Sequence, residues 1–191
     1  MNLHPALVRE LRNRKFEISD SGLYLPKSKV MVSGVFGNQV RKATGELTPV
    51  EWSPNIIVNQ GLDSILGVYF HADSQISTWY VAIFEGNYTP VAGDTAANIA
   101  TNSTESTAYT EANRVEWVEA AAASQSITNS ASKATFTMNA TKTIYGAFLV
   151  STSTKSGATG TLCAASRFTA SRSVVNTDQL LVTYTITAAD A

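Results

Sequence analysis

The sequence has one cysteine, no long apolar run and no secretory signal, and each absence excludes a class of protein. With Cys163 alone, no disulfide can form within the chain, and its position in the apolar run TLCAASRF predicts a small buried side chain rather than a nucleophile. No apolar run approaches the roughly 18 residues that a membrane-spanning helix needs, so we expect no membrane partner. The opening MNLHPALVRELRNRK lacks the apolar centre of a secretory signal. We therefore expect a protein that is made and kept in the cytoplasm, or in a particle assembled there.

Charged side chains are also scarce, at 15% of 191 residues against roughly 25% in an average soluble domain. Serine and threonine together supply 43 positions and alanine supplies 25. Such a surface is neutral and rich in small hydroxyl groups, which suits β-strands and close packing against neighbouring molecules. Hydrophobic residues, at 44%, are sufficient for a core, so the chain predicts one folded domain.

The net charge of −1 conceals two regions of opposite charge. Residues 1–42 carry eight Lys and Arg against three acidic residues, which is +5, and residues 43–191 carry six against twelve, which is −6. We predict that residues 1–42 are a basic N-terminal arm that contacts neighbouring molecules, and that residues 43–191 form the main domain. The basic residues are spread out with few aromatic residues among them, so nucleic acid is the weaker alternative as a partner.

The first fifteen residues have the pattern of a short amphipathic helix. Asn2 is a favourable cap, Pro5 fits the first turn, and apolar residues recur at helical spacing. A helix of about three turns is marginal alone in water, so we expect this one to need a surface to lie on. The predicted assembly contacts are Leu3, Leu7, Arg9, Leu11, Arg12, Arg14 and Lys15.

From Phe16 onward the pattern becomes that of β-strands. In TWYVAIF (residues 78–84) both faces of the predicted strand are apolar, so we expect a strand in the middle of its sheet, with Trp79 in the core. The segment KVMVSGVFGNQV predicts a strand broken at Gly34 and Gly37.

Between these strands the sequence predicts connecting segments and one helix. KATGELTPVEWSP (residues 42–54) predicts a loop. The polar residues 91–113 have few large apolar side chains and predict a long loop that is functional or ordered by a partner. RVEWVEAAAA predicts a strand with Arg114 on its outer side. One short internal helix is indicated by apolar residues at helical spacing, Leu62, Ile65, Leu66 and Tyr69.

The last third of the chain predicts four strands, KATFTMNA, KTIYGAFLVST, GTLCAASRF and DQLLVTYTITA, with STKSGATG as a hairpin connection. About six to nine short strands at this spacing indicate a mainly β fold. We predict an antiparallel β-sandwich or jelly-roll-like domain with a short N-terminal helix or arm and one short internal helix.

The sequence offers little for catalysis. His4 and His71 have no cysteine or acidic residue at metal-ligand spacing, so no zinc site is predicted. Asp94, Glu105 and Glu111 carry oxygen ligands of the kind that calcium binds, but their spacing is not that of a calcium loop, and we interpret them as solvated loop acids. No phosphate-binding or nucleophile motif is present. We predict no catalytic residue, no cofactor, no metal ligand and no enzymatic activity.

The tryptophans suggest a second kind of site, an aromatic surface that binds carbohydrate. The alternation around Trp79 and Trp117 places both in strands. Trp52 follows a predicted loop and precedes SPN, so it is the tryptophan that we expect to be exposed.

Several phrases of the sequence occur together in one known family. They are NIIVNQGLDSIL, TWYVAIFEGNYTPVAGDTAA, ESTAYTEANRVEWVEAAA, SITNSASKATFTMNATKTIYGAFL and LLVTYTI, after the opening MNLHPALVREL. In this order, over nearly the whole chain, they resemble a family of small virion structural proteins of tailed, mainly short-tailed, bacteriophages. None of the phrases is a catalytic motif. The resemblance implies a virion protein assembled in the bacterial cytoplasm, and it does not specify a position in the particle.

Two classes of function follow from these observations. The favoured class is an assembly protein: a capsid decoration or cement subunit that stabilises the head through arm and loop contacts, or alternatively a neck, collar or tail ring component. Its expected partners are copies of itself, as a trimer or ring, and other virion proteins such as the major capsid protein or neck and tail proteins. The second class is a host-surface, glycan-binding tail protein. Such proteins usually follow a long repetitive shaft, which this sequence lacks.

Overall fold

The computed structural model describes residues 16–18, 24–26 and 30–190. Strands dominate this part of the chain, as the sequence predicted. The elements are β1 (Phe16–Ile18), β2 (Tyr24–Pro26), β3 (Val30–Arg41), β4 (Glu51–Pro54), β5 (Ile56–Ile57), α1 (Asn59–Phe70), β6 (Tyr80–Phe84), α2 (Ile99–Asn102), β7 (Val115–Glu116), β8 (Ser126–Thr128), β9 (Ala134–Thr137), β10 (Lys142–Val150), β11 (Leu162–Val174) and β12 (Gln179–Asp190).

Most of the strands belong to two larger sheets. Sheet I has the order β5-β11-β10-β6-β7, and sheet II has the order β4-β3-β12-β8, with β9 also paired to β12. Strand β10 runs antiparallel to both of its neighbours, β11 and β6. The predicted antiparallel β-sandwich is confirmed, and so is the hairpin that joins β10 to β11.

The chain separates into two compact units, one of residues 1–32 with 188–191 and one of residues 33–187. In the smaller unit β1 and β2 pair antiparallel, with Phe16 opposite Pro26. The predicted N-terminal helix and all of its assembly contacts, Leu3, Leu7, Arg9, Leu11, Arg12, Arg14 and Lys15, lie outside the described residues. The last part of the predicted arm, residues 33–42, belongs to the larger unit.

The main core lies between the two sheets. Val81 and Ile83 enter it from β6, and Phe36 and Tyr184 enter it from β3 and β12. The rings of Phe36 and Tyr184 stack with their centroids 4.1 Å apart. Trp117 is buried beside them and donates its indole N–H to the carbonyl oxygen of Tyr184 at 3.2 Å. Leu180 and Val182 of β12 enter the same core, and Leu181 on the other face of the strand is also buried.

A second core covers the opposite face of sheet I. Ala82 and Phe84 of β6 and Phe148 of β10 pack there with Val58 and Ile99, which come from segments outside the sheet. Strand β6 is thus buried on both faces and lies between β10 and β7. This confirms the predicted central strand. Trp79 precedes the strand, is partly buried and packs against the main core.

Residues 91–113 do not form a solvated polar loop. They include α2, and they contribute Ala96, Ile99 and Ala100 as buried residues against sheet I, with Tyr109 buried in the main core. The sequence prediction was wrong about the environment of this segment. A few apolar residues are enough to pack a segment against a sheet when each of them is buried. The segment is ordered by its own domain.

Strand β3 is continuous and is not broken at its glycines. A Cβ at Gly34 would lie 2.6 Å from the Tyr184 hydroxyl oxygen, and one at Gly37 would lie 2.7 Å from the ring of Trp52. The glycines therefore let two large rings approach the strand. The partner of Gly37 is β4, so the predicted loop over residues 42–54 ends in a strand.

Helix α1 lies against β11 at a glycine. A Cβ on Gly61 would lie only 2.3 Å from the carbonyl oxygen of Cys163. Beside it, the side-chain oxygen of Gln60 accepts hydrogen bonds from the backbone N–H groups of Ala96 at 2.9 Å and Leu162 at 2.8 Å. These contacts fix the first turn of α1 to sheet I and to residues 91–113.

We expect Gly61→Ala to destabilise the protein by about 1–3 kcal/mol, because the added methyl group pushes α1 away from β11. In an unconstrained helix the same change stabilises by up to about 1 kcal/mol, so the sign of the effect is diagnostic. Urea unfolding measures it. The control is Gly93→Ala, where an added Cβ meets nothing within 4 Å. A Gly61→Ala protein as stable as the parent would contradict this packing.

Asp178 joins the end of β3 to the turn before β12. Its carboxylate accepts hydrogen bonds from Lys42 Nζ at 2.9 Å, Val175 N at 3.1 Å and Ala43 N at 3.2 Å. Burial alone would raise the pKa of Asp178, but these hydrogen bonds and the Lys42 charge outweigh it and hold the pKa below its usual value.

A carboxylate with a depressed pKa contributes stability that is present above its ordinary pKa of about 3.9 and is lost as the pH falls through the lower value in the fold. We therefore expect the melting temperature to drop on acidification below about pH 4, and Asp178→Asn to flatten that part of the profile. Asp63→Asn, at an exposed carboxylate of α1, is the control. If the melting temperature of Asp178→Asn falls on acidification as much as that of the parent protein, another group causes the loss of stability.

Candidate functional site

The most unusual surface of the described chain is one side of α1. Its apolar side chains point away from the sheet, and their exposed fractions are 55% for Leu66, 80% for Tyr69 and 77% for Phe70, with Leu62 and Ile65 both at 40%. These five positions follow the spacing of a single helix face. Contiguous exposed apolar surface of this kind usually marks a site of interaction. We call this set of five residues the α1 face.

The opposite side of α1 explains why its large residues face outward. That side carries small residues, with Gly61 buried and Ser64 half-buried. Gly61 brings the first turn of the helix backbone close to β11, so a bulky side chain has no room at that position. The sequence predicted this helix, and the structure confirms it. The signal that its apolar stripe faces outward was the pair of small residues at positions 61 and 64, on the other side of the helix.

An open cleft of about 350 Å³ adjoins the α1 face. Its walls are Ile65, Tyr69 and Phe70 of α1, together with Ile76 and Trp79 from the segment that follows the helix. The cleft is mostly apolar and is large enough to hold aliphatic side chains. Trp79 therefore has two roles, since it packs against the core and lines this cleft.

Cys163 also lines the cleft, but its thiol is buried. Burial raises the pKa of Cys163 to about 12, so the thiol stays protonated and is a poor nucleophile at neutral pH. The prediction of a small buried side chain is confirmed.

The stretch of sequence that contains the α1 face is acidic. No Lys or Arg occurs in residues 43–113, which contain eight Asp and Glu. Several of these acids are buried or paired, but Asp63 on α1 and Asp73 just after it are exposed. Within the described residues neither carboxylate has a hydrogen-bond or ion-pair partner. The α1 face is thus an apolar strip beside unpaired negative charge.

Trp52 forms a separate exposed aromatic site. Its side chain is 54% exposed, as the sequence predicted, and its ring lies over Gly37 on the neighbouring strand. It stands on β4, at one end of sheet II. Nearby, Arg172 contacts Glu51 at 3.2 Å and donates to the carbonyl oxygen of Pro49 at 3.3 Å. The structure does not bring Trp52 together with Trp79 or Trp117, which both pack against the main core.

The predicted loop acids have structural partners, and two of them are buried. Glu105 and Arg114 form a buried ion pair with two hydrogen bonds, of 2.9 Å from Nε and 2.6 Å from an Nη nitrogen. Arg114 also donates to the carbonyl oxygens of Thr152 and Gly157, at 3.2 Å and 3.1 Å, and Glu105 accepts from the backbone N–H of Ser156 at 3.1 Å. The pair ties residues 91–113 to the β10–β11 hairpin. The prediction of a solvated Glu105 and an outward Arg114 was therefore wrong.

The other two acids of that prediction are also engaged. The carboxylate of Asp94 is buried and accepts hydrogen bonds from the Tyr88 hydroxyl at 2.8 Å and from Val91 N at 2.9 Å. Burial, together with this carboxylate, raises the pKa of Tyr88. Glu111 is half-buried and accepts from the backbone N–H of Thr137 at 3.1 Å. These acids hold the segment in place, and none of the three is a free metal ligand.

Two groups near the buried ion pair have shifted pKa values. Burial and the nearby Glu105 raise the pKa of Tyr109 well above its usual value, so its hydroxyl stays protonated. The Lys155 ammonium lies 3.7 Å from the centre of the Tyr109 ring and donates to its carbonyl oxygen at 3.0 Å. Partial burial lowers the pKa of Lys155. The arrangement is a cation on an aromatic ring, which stabilises the packing of the hairpin loop.

Across residues 16–18, 24–26 and 30–190, no three His, Cys, Asp or Glu side chains come together in a way that could hold a metal ion. Neither described helix is both long enough and apolar enough to cross a membrane. Comparison with known proteins gives no matching family model and no matching curated protein. A function for the chain is therefore inferred from its own residues and their geometry.

We expect Arg114→Met to destabilise the protein by about 3–5 kcal/mol, because it leaves the Glu105 carboxylate buried without its partner. The matched control is Lys142→Met, which breaks a half-exposed pair in which Lys142 lies 2.8 Å from Glu85. That change should cost at most about 1 kcal/mol. Urea unfolding compares the two variants, and equal losses would show that the buried pair has no special role.

Proposed function

We propose that the chain is a non-enzymatic structural subunit of a tailed-bacteriophage particle, and that it acts as a capsid decoration or cement protein. The observation that carries the proposal is the α1 face. A subunit that functions alone gains nothing from leaving Tyr69 and Phe70 more than three-quarters exposed, whereas a subunit that binds other copies or a capsid surface needs such a strip.

The rest of the fold supports the same proposal. The sandwich has two cores, and residues 91–113 are fixed to it through a buried ion pair, so the α1 face is held on a rigid base. A rigid base lowers the entropy lost on binding. The resemblance to virion structural proteins, which rests on the phrases quoted above, supplies the class of particle.

The experiment is a count of copies in purified particles of the phage that carries this sequence, by quantitative mass spectrometry. We expect on the order of hundreds of copies per particle, since a decoration protein follows the symmetry of the head lattice. About six or twelve copies would instead support a neck, collar or tail ring, whose symmetry is that of the tail axis. Absence of the protein from purified particles would refute a virion role.

A second candidate, a host-surface glycan-binding protein, is favoured by the exposed Trp52 on β4. Exposed aromatic rings are apolar platforms with a polar edge, which suits the face of a sugar ring. If this candidate is correct, the protein binds bacterial surface polysaccharide and Trp52→Ala removes the binding without a change in melting temperature. Absence of glycan binding by the parent protein would exclude it.

A further inference from the structure

We propose that the α1 face is the docking site for residues 1–15 of a second copy of this chain. The proposal rests on the proposed assembly function, and it names the surface that receives the basic segment and the segment that covers the surface. It follows from three observations: the shape of the α1 face, the charge beside it, and the sequence of the segment.

The apolar patterns of the two partners match. Residues 1–15 place Leu3, Leu7 and Leu11 one helical turn apart, which forms a single stripe if the segment is helical. The α1 face presents its own stripe with Leu66 and Tyr69 beside an apolar cleft of about 350 Å³. Two such stripes bury each other as ridges and grooves. A short helix that is marginal alone becomes stable when its apolar side is covered.

The charges favour this occupant over the face of another α1. The exposed Asp63 and Asp73 lie in a stretch of 71 residues, 43–113, without any Lys or Arg. Two α1 faces packed together would bring these like charges together. Residues 1–15 instead carry four basic residues, Arg9, Arg12, Arg14 and Lys15, and a single acid, Glu10. The basic side chains of the segment complement the acidic margin of the face.

The contact is head-to-tail, because one copy provides the segment and the other provides α1. Each copy then gives one segment and receives another. A contact of this kind closes into a ring or continues as a chain, according to the angle between successive copies. Repeated contacts between copies are what a decoration lattice or a ring requires.

The first test is disulfide cross-linking between two full-length variants, Leu7→Cys and Leu66→Cys, with different tags. Cys163 is buried and its thiol is protonated, so it should not react. Under mild oxidation we expect mixed cross-linked dimers. The control pair is Leu7→Cys with Val175→Cys. Val175 is also exposed and follows the far end of β11, at most about 40 Å from Cys163 at 3.3 Å per residue. We expect about tenfold less product from the control pair.

Three outcomes would overturn the proposal. Dimers formed by Leu66→Cys alone would show that α1 packs on α1. A cross-link within a single chain of the double variant Leu7→Cys/Leu66→Cys, with no mixed dimers, would place the segment on its own copy. A protein that remains monomeric and uncross-linked at high concentration would show that the segment does not dock.

The second test compares self-association by sedimentation for Leu66→Ser and Trp52→Ser. These side chains are almost equally exposed, at 55% and 54%, and lie on different surfaces. We expect Leu66→Ser to weaken self-association by about tenfold or more and Trp52→Ser to leave it unchanged. Equal effects would overturn the proposal. Circular dichroism confirms that both variants are folded.

These results separate the docking proposal from the particle assignment. Mixed cross-links in a protein that is absent from purified particles would leave the docking contact standing and refute the virion role. If the protein is present in purified particles but forms no cross-link, the virion role stands and the docking contact is refuted.

Discussion

A sheet that is apolar on both faces has to be covered twice, and much of this structure follows from that requirement. Sheet I buries Val81 and Ile83 against sheet II, and it buries Ala82 and Phe84 on the opposite side. Sheet II covers the first face. The second face needs a cover from elsewhere in the chain, and residues 91–113 with the start of α1 provide it. The segment that looked like a surface loop is therefore part of the hydrophobic core.

That cover has to be fixed in place by polar contacts, because it contains few large apolar residues of its own. Glu105 and Arg114 supply the main one, with both charges removed from water and almost every hydrogen-bonding group engaged. Gln60 supplies another by accepting from two backbone N–H groups at once. The consequence reaches α1, whose first turn is held so closely to β11 that only a glycine fits at position 61. The large apolar residues of the helix are left on the outside.

The sequence could predict what depends on local pattern. The apolar character of both faces of TWYVAIF predicted the buried strand β6, and the spacing of Leu62 and Tyr69 predicted α1. The pattern could not tell which side of α1 is covered, because an apolar helical stripe normally faces a core and this one does not. It could not pair Glu105 with Arg114 either, since a buried ion pair depends on how distant segments are packed.

The glycines of β3 and Trp52 also show which features local sequence can predict and which depend on the fold. Gly34 and Gly37 were interpreted as breaks because glycine weakens a strand, but in the fold they are places where rings approach the backbone. Exposure of Trp52 followed from its neighbours along the chain, and that prediction is confirmed. Local signals thus gave the type of most of the longer elements, whereas the environment of each element depended on contacts far away in sequence.

The apolar character of the α1 face has a thermal consequence. Burial of apolar surface is driven by water entropy near room temperature, and it lowers the heat capacity of the complex. Its strength therefore falls on cooling, whereas contacts dominated by hydrogen bonds do not weaken in this way. Any assembly held together through Leu66, Tyr69 and Phe70 should loosen in the cold and tighten on warming.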